Sequence, residues 1–291
     1  MSRKITIGLP VYNGGNFLKE RIKNILSQNY DDFELIISNN ASTDNTDDIC
    51  EQFVNKDNRI KYFVQEKNEG GLWNFEFTLN ASNTPYFVWA GVDDIWDNDF
   101  LKENIYFLES TQNFVGSIGQ VEKFGMLNQR ELSSNKKIKN IIKQFRWSRY
   151  GAVEAAGNYE TKTRTYLQNN SAQAIYGIFR TDVLKKAIIN KSFLAMDLAI
   201  ILNILKYGDF HVIQKKLIRF NMGGFSSNGI NSSTKKLNHS MIGRIFPYYP
   251  FTKWCFINIG KKIFFKNFFH FVKLNVTGIL AIIYDLLLSK K

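Results

Sequence analysis

The chain has 291 residues, 44% of them hydrophobic and 15% aromatic, which supplies a sizeable core and excludes a disordered protein. Its two cysteines, Cys50 and Cys255, exclude a disulfide framework and a thiolate metal site and point to a reducing compartment. The net charge of +12 is uneven: between Lys235 and Lys291 ten Lys and Arg face one acid, Asp285, which makes +9 and leaves +3 (12 − 9) for the rest. Nucleic acid, an anionic lipid surface and a merely solvated face are all open readings of that tail. The N-terminus "MSRKITIGLP" lacks the apolar core of about 7–15 residues that a signal peptide needs, so none is expected.

The first hundred residues alternate between two periodicities. "KITIGLPVY" (4–12) predicts a strand, and "NFLKERIKNILSQ" (16–28) puts Phe17, Leu18, Ile22, Ile25 and Leu26 on one helical face. "FELIISNN" (33–40) predicts a strand, "STDNTDDICEQFVN" (42–55) a helix with capping residues and acids in its first turn, and "RIKYFVQE" (59–66) a third strand. "GGLWNFEFTLNAS" (70–82) predicts a helix and "PYFVWAGV" (85–92) a fourth, buried strand. Further on come a strand over 113–125, a basic stretch "KKIKNIIKQFRWSR" (136–149) and strand-like residues over 172–180. A helix over 181–189, a very apolar helix over 197–208 and one or two strands over 209–222 follow. Such alternation implies a mainly parallel sheet flanked by helices, with its ligand site at the carboxyl ends of the strands. "YNGGN", "NNASTD" and "GVDD" all fall at such ends.

In the last of these, Asp93 and Asp94 are neighbouring carboxylates at a buried strand end, which repel unless a cation or hydrogen bonds compensate. The bland alternative is a pair of turn aspartates capping the next helix.

The stretch "ITIGLPVYNGGNFLKERIKNILSQNYDDFELIISNNASTDNT", together with "VDDIW", resembles the family 2 glycosyltransferases of the GT-A fold, over roughly residues 3–230. It matches the family's "P-x-Y/F-N" turn, its first helix, its "D-D/N-x-S-x-D" loop and its metal-binding aspartates. The resemblance implies a nucleotide-diphospho-sugar donor whose leaving diphosphate is neutralised by Mn²⁺ or Mg²⁺ on Asp93 and Asp94, the hard oxygen ligands such cations prefer. Gly91 stands where a longer "D-x-D-D" version of the motif has its first acid. Pro10, Tyr12 and Asn13 would form the nucleotide floor, with Asn39, Asn68 and Asn74 near the base and Asp93 also reaching the ribose. "FLAMDLAIILNILKYG" resembles the helix that opens "E-D-x-x-L", with Met196 in the first acidic position, so Asp197 would be the catalytic base of an inverting transfer. A plain helix cap is the other reading of Asp197. Near 222–226, where relatives often carry a histidine, "FNMGGFSSNG" has none.

The expected organisation is a catalytic domain over 1–235, with a donor half (1–112) and an acceptor half (113–235), and a basic, aromatic helical region over 236–291. Residues 248–288 interleave lysines with Phe, Trp, Ile and Leu, which suits an amphipathic helix on an anionic bilayer, or else aromatics packed back on the catalytic domain. The 13-residue stretch "VTGILAIIYDLLL" is too short to span a bilayer. "QFRW" (144–147) is one residue short of the "Q-x-x-R-W" of processive synthases, so single-sugar addition is expected. The acceptor expected from the resemblance is a glycan, commonly lipid-linked, at the cytoplasmic face of a membrane. Two rivals are a nucleotidyltransferase, against which "LPVYNGGNF" lacks an arginine, and a nucleic-acid-binding protein, against which the aliphatic run fits lipid better than bases.

Overall fold

A computed structural model describes residues 3–124, 151–169, 172–221 and 240–288. The basic stretch 136–149, with "QFRW", and the loop around 222–226 lie outside the described residues.

The first half runs β1 (Ile5–Val11), α1 (Gly15–Leu26), β2 (Phe33–Asn39), α2 (Thr46–Val54), β3 (Ile60–Val64), α3 (Gly71–Asn80) and β4 (Tyr86–Trp89). After a turn come β5 (Ile95–Trp96), α4 (Phe100–Ser110), β6 (Phe114–Phe124), α5 (Tyr159–Asn169), a 3₁₀ turn (Ala172–Tyr176), β7 (Ile178–Arg180), α6 (Thr181–Ala187), α7 (Met196–Ile204) and β8 (Asp209–Asn221). Four helices close the chain: α8 (Met241–Ile245), α9 (Tyr249–Asn258), α10 (Lys261–Lys266) and α11 (Phe268–Leu288). Among the described residues eight strands form one sheet in the order β3-β2-β1-β4-β7-β6-β8-β5. β3, β2, β1 and β4 are mutually parallel, while β7 runs antiparallel to both β4 and β6.

Burial follows from position in the sheet. β2 lies between two parallel neighbours with helices over its faces, and all its side chains are buried. β3 is an edge strand and buries only Ile60. α1 turns Leu18, Ile22 and Ile25 inward, as its periodicity predicts, and adds Arg21, a surprise taken up below. The register pairs Val11 with Asn39 and Gly8 with Trp89, so the loops after β1, β2 and β4 leave the sheet side by side.

Two expectations need correction. The strand-like run 172–180 splits into the 3₁₀ turn and a three-residue β7, because the Gly177 N–H closes onto Ala174 O (2.9 Å) and its backbone lies tight on β6. A Cβ there would stand 2.8 Å from Ser117 O. The C-terminal region is helical as expected, but as four helices and not a single one, broken at Pro247 and at Gly260, whose φ of 91° suits glycine. Its aromatics divide. Phe251, Cys255, Ile259, Phe264 and Phe271 join the same core as the sheet, and α9 packs on α7. Met241, Ile257, Phe265 and Phe269 remain exposed. No helix among the described residues is long and apolar enough to cross a membrane.

Candidate active site

Backbone strain marks the site before any chemistry does. The described non-glycine residues with positive φ are Asn13, Ala41 and Ala195, in the loop after β1, in the loop after β2 and just before α7. Such conformations cost of order 1–3 kcal/mol each and cluster where a loop is held for function. Here the holding is done by asparagines. Asn13 Oδ1 accepts from the Thr43 N–H (2.8 Å), and the Asn13 N–H donates to Ser42 Oγ (2.9 Å). Asn39 Oδ1 accepts from the Ser42 N–H (3.0 Å), while its Nδ2 donates to the Tyr62 hydroxyl (2.9 Å). Asn40 Nδ2 donates to Asn68 Oδ1 (3.0 Å), and Asn40 Oδ1 accepts from the Glu69 N–H (3.0 Å). Asn74 Nδ2 reaches Ser38 O (3.0 Å). Asp44 adds a clamp, accepting from the N–H groups of Gly15 (3.0 Å) and Thr46 (3.1 Å). Desolvation pulls the Asp44 carboxyl upward, but the hydrogen bonds from Thr46 and Gly15 win and hold it below the usual range.

This changes the reading of two expected base contacts. Asn39 and Asn74 are each only 2% exposed, so they brace the floor from beneath. Tyr12 (49% exposed), Asn13 and Asn68 face solvent above it, and Pro10 is half-buried.

The acid pair lies beside this floor. α4 begins at Phe100 with Asp99 as its cap residue, so neither Asp93 nor Asp94 caps it. Asp94 is folded back against the chain: a Cβ built on Gly91 would collide with Asp94 Oδ2 and stand 3.1 Å from its Cγ. Gly91 therefore makes room for the second carboxylate, a steric reason for the missing first acid of the motif. Burial, reinforced by the Asp93 charge, pushes the Asp94 carboxyl up to about 7, against the pull of Arg21 and the Asn221 N–H (3.3 Å to Oδ1). Arg21, 2% exposed, lies over the Trp96 ring at 4.2 Å and donates to Asn24 Oδ1 (2.8 Å). Its Nε and Nη2 have no hydrogen-bond partner among the described residues, and desolvation pushes the guanidinium down to about 10 despite Asp94 and Asp93. A buried cation beneath two carboxylates is the compensation such a pair requires.

Asp197 sits in the first turn of α7, a helix otherwise almost wholly buried. The cap position belongs to Ala195, and the Asp197 carboxyl makes no hydrogen bond to another described residue. It is exposed to solvent, yet desolvation pushes it up to about 6. Tyr176, which pattern reading missed, lies within electrostatic reach of both Asp197 and the acid pair: its phenol is raised by burial and then by the charges of Asp197, Asp94 and Asp93.

Comparison with known proteins now has a geometry to explain. The model of glycosyl transferase family 2 matches residues 6–172, more than half of the chain. The chain belongs to glycosyl transferase family 2. The glycosyltransferase GlyG of Streptococcus pneumoniae is 33% identical over 105 residues, 36% of this chain and 33% of GlyG. The putative teichuronic acid biosynthesis glycosyltransferase TuaG of Bacillus subtilis is 28% identical over 104 residues, 36% of this chain and 41% of TuaG. The matched segments thus span a third to two-fifths of these two relatives. Among solved structures, S. aureus TarS 1–349 superimposes with a TM-score of 0.58 at 14% identity, covering 94% of this chain and 81% of TarS. The mannosyltransferase PcManGT of Pyrobaculum calidifontis, in complex with GDP-Man and Mn²⁺, gives 0.54 at 12% identity, covering 95% and 74%. TarS is also known in complex with UDP-GlcNAc. At these identities the structures establish the GT-A-like fold of this family 2 glycosyltransferase, a mixed sheet with flanking and C-terminal helices.

The residues present at the acid pair suit a divalent cation. Asp93 and Asp94 supply hard oxygen ligands, and the described residues contain no larger cluster of His, Cys, Asp or Glu that would form an all-protein cage. One or two carboxylates plus substrate phosphates is how Mg²⁺-type ions are usually held.

Proposed function

We propose that the chain moves one sugar from a nucleotide-diphospho-sugar to a hydroxyl of a glycan acceptor, with inversion at the anomeric carbon. One observation carries this reading: Asp197, whose carboxyl makes no hydrogen bond to another described residue, opens the helix that packs on the 3₁₀ turn of Tyr176, and the phenol of Tyr176 lies within electrostatic reach of Asp197, Asp94 and Asp93 alike. An inverting displacement needs a proton acceptor on one side of the sugar and charge neutralisation on the other.

In this scheme Asp197 takes the proton of the acceptor hydroxyl as that oxygen bonds to the anomeric carbon. The bond from that carbon to the diphosphate oxygen breaks, and its electron pair leaves with the nucleoside diphosphate. Asp93 and Asp94 would hold Mn²⁺ or Mg²⁺, which when bound offsets the diphosphate charge. Pro10, Tyr12, Asn13 and Asn68 line the nucleotide pocket, with Asn39 and Asn74 setting its floor. The UDP-GlcNAc and GDP-Man complexes of the neighbouring folds support a nucleotide-sugar of the hexosyl or N-acetylhexosaminyl type and leave the base open.

The acceptor is a lipid-linked glycan of oligosaccharide, O-antigen or lipopolysaccharide assembly, reached at the cytoplasmic face of the membrane; the name of TuaG supports the cell-surface class. The C-terminal helices supply the surface. Phe268, Val272, Val276, Leu280 and Ile283 recur every three or four residues along α11 and are all exposed. A cavity of about 280 Å³ opens beside them, lined by Phe246, Phe264, Phe268, Phe271, Val272 and Val276. Between residues 240 and 288 six Lys and Arg face one acid, a balance that favours anionic headgroups. Thermal-shift titration with UDP-, GDP- and dTDP-sugars, with and without Mn²⁺, tests the donor reading. Cation-dependent stabilisation by one base class supports it, and no response to any of them sinks it.

A further inference from the structure

Tyr176 is the last residue of the 3₁₀ turn, and three contacts fix where it stands. The turn packs against α7, whose first turn carries Asp197, and against β4 and β6. The Tyr176 ring meets Phe220 edge-on, with centroids 5.2 Å apart. Phe220 precedes Asn221, whose N–H donates to Asp94 Oδ1. The tyrosine therefore bridges the two halves of the site, with the base on one side and the acid pair on the other. Gly177 makes this placement possible, since a side chain there would strike Ser117 O and push the turn off the sheet.

The ring is only partly buried, and its hydroxyl makes no hydrogen bond to another described residue. A partly exposed phenol whose ring is packed edge-on and whose hydroxyl makes no bond to another described residue can donate to a ligand. In a single displacement the sugar ring must occupy the space between the base and the departing diphosphate, which is the space beside Tyr176. We infer that Tyr176 binds the transferred sugar, its ring flanking the pyranose and its hydroxyl donating to one sugar hydroxyl, so that it selects which sugar is transferred. This rests on the transfer reading above.

In the transfer reading Asp197 takes a proton and Asp93 and Asp94 serve a cation, so a donor to a sugar oxygen comes from another side chain, and Tyr176 is placed to supply it.

The test compares Tyr176→Phe with wild type, which removes one oxygen and keeps the ring on Phe220. Affinities are measured for UDP, GDP and dTDP alone and for their sugars, with Mn²⁺. The variant should bind the nucleoside diphosphate within about twofold of wild type but lose about 3- to 10-fold in the extra affinity the sugar confers. A donor series lacking one sugar hydroxyl at a time gives a second reading that does not depend on how the variant folds. One deoxy donor should bind wild type as weakly as the full donor binds Tyr176→Phe, and should lose nothing further in the variant. An unchanged sugar contribution in Tyr176→Phe, or equal penalties for every deoxy donor in both proteins, overturns the inference and leaves the transfer reading intact. If none of these sugar nucleotides binds, or if Asp197→Asn turns over like wild type, the transfer reading fails and takes this inference with it.

Discussion

Replacing Asp197 with Asn removes a proton acceptor and little else. The carboxyl has no hydrogen bond to another described residue, so the amide leaves no partner stranded. Turnover should fall by about 10²–10⁴-fold, the usual worth of a general base, while donor affinity stays within about twofold. Wild-type kcat/KM should rise about tenfold per pH unit up to about 6, where Asp197 titrates, and level off above it; the variant should lose that limb. Stability carries the opposite sign. The folded state holds this proton more tightly than the unfolded chain, whose aspartates titrate near the ordinary 3.8. Its contribution is therefore most favourable below pH ~4, declines between about 4 and 6, and stays low above 6. A displacement from 3.8 to about 6 is worth at most about 3 kcal/mol, and because solvent reaches the side chain about 1 kcal/mol is the working figure. Asp197→Asn should thus unfold at higher urea than wild type at pH 7 and at the same urea at pH 4. Parallel losses in donor binding and turnover, with no gain at pH 7, would make Asp197 a structural residue of α7 and refute the reasoning.

Asp94→Ala should abolish Mn²⁺-dependent donor binding in calorimetry, and wild-type affinity in that variant would remove the cation from the account. Gly91→Ala should keep the fold but push Asp94 out of its place, weakening Mn²⁺-dependent binding by about tenfold or more, because a Cβ at Gly91 overlaps the carboxylate. An affinity equal to wild type would mean that the carboxylate simply moves aside. Liposomes containing anionic lipid should sediment the protein at low salt and release it as salt rises, since exposed Lys261, Lys262 and Lys266 act through screened attraction of roughly 1 kcal/mol each. Phe269→Glu with Val272→Glu, both exposed, should lose sedimentation while circular dichroism and the melting temperature stay unchanged. Truncation at Ser240 is the poorer test, because it strips Phe251, Cys255 and Ile259 from a shared core and should lower the melting temperature.

The strands and helices of the first hundred residues were legible because their patterns are local. Period-two runs at β1, β2 and β4 and the 3.6-residue spacing of Leu18, Ile22 and Ile25 survive without knowledge of what they pack on. The acid pair and Asp197 stand out in the sequence for another reason, since carboxylates at the ends of apolar runs are costly and call for compensation. Arg21 was not, because it lies at a core position of α1 and reads as a stray charge until Trp96 and the acid pair close over it. Tyr176 was hidden in a run that scans as a strand; only the closeness of Gly177 to β6 turns it toward the site. The asparagines were read as ligand contacts from their loops, but two donors and one acceptor in each amide suit them equally to tying loops together, and register across strands decides between the two. The C-terminal aromatics could not be sorted into core and surface, because their partners, such as α7, lie far away in sequence.

The account turns on which bond of the donor breaks. The most direct measurement follows the nucleotide product by anion-exchange chromatography when a lipid-linked glycan is added to enzyme, Mn²⁺ and the nucleotide-sugar that binds. One equivalent of nucleoside diphosphate per sugar transferred is predicted, suppressed in EDTA and slowed at least about 10²-fold in Asp197→Asn. Release of nucleoside monophosphate with sugar phosphate, or of diphosphate at an undiminished rate in Asp197→Asn, would contradict it.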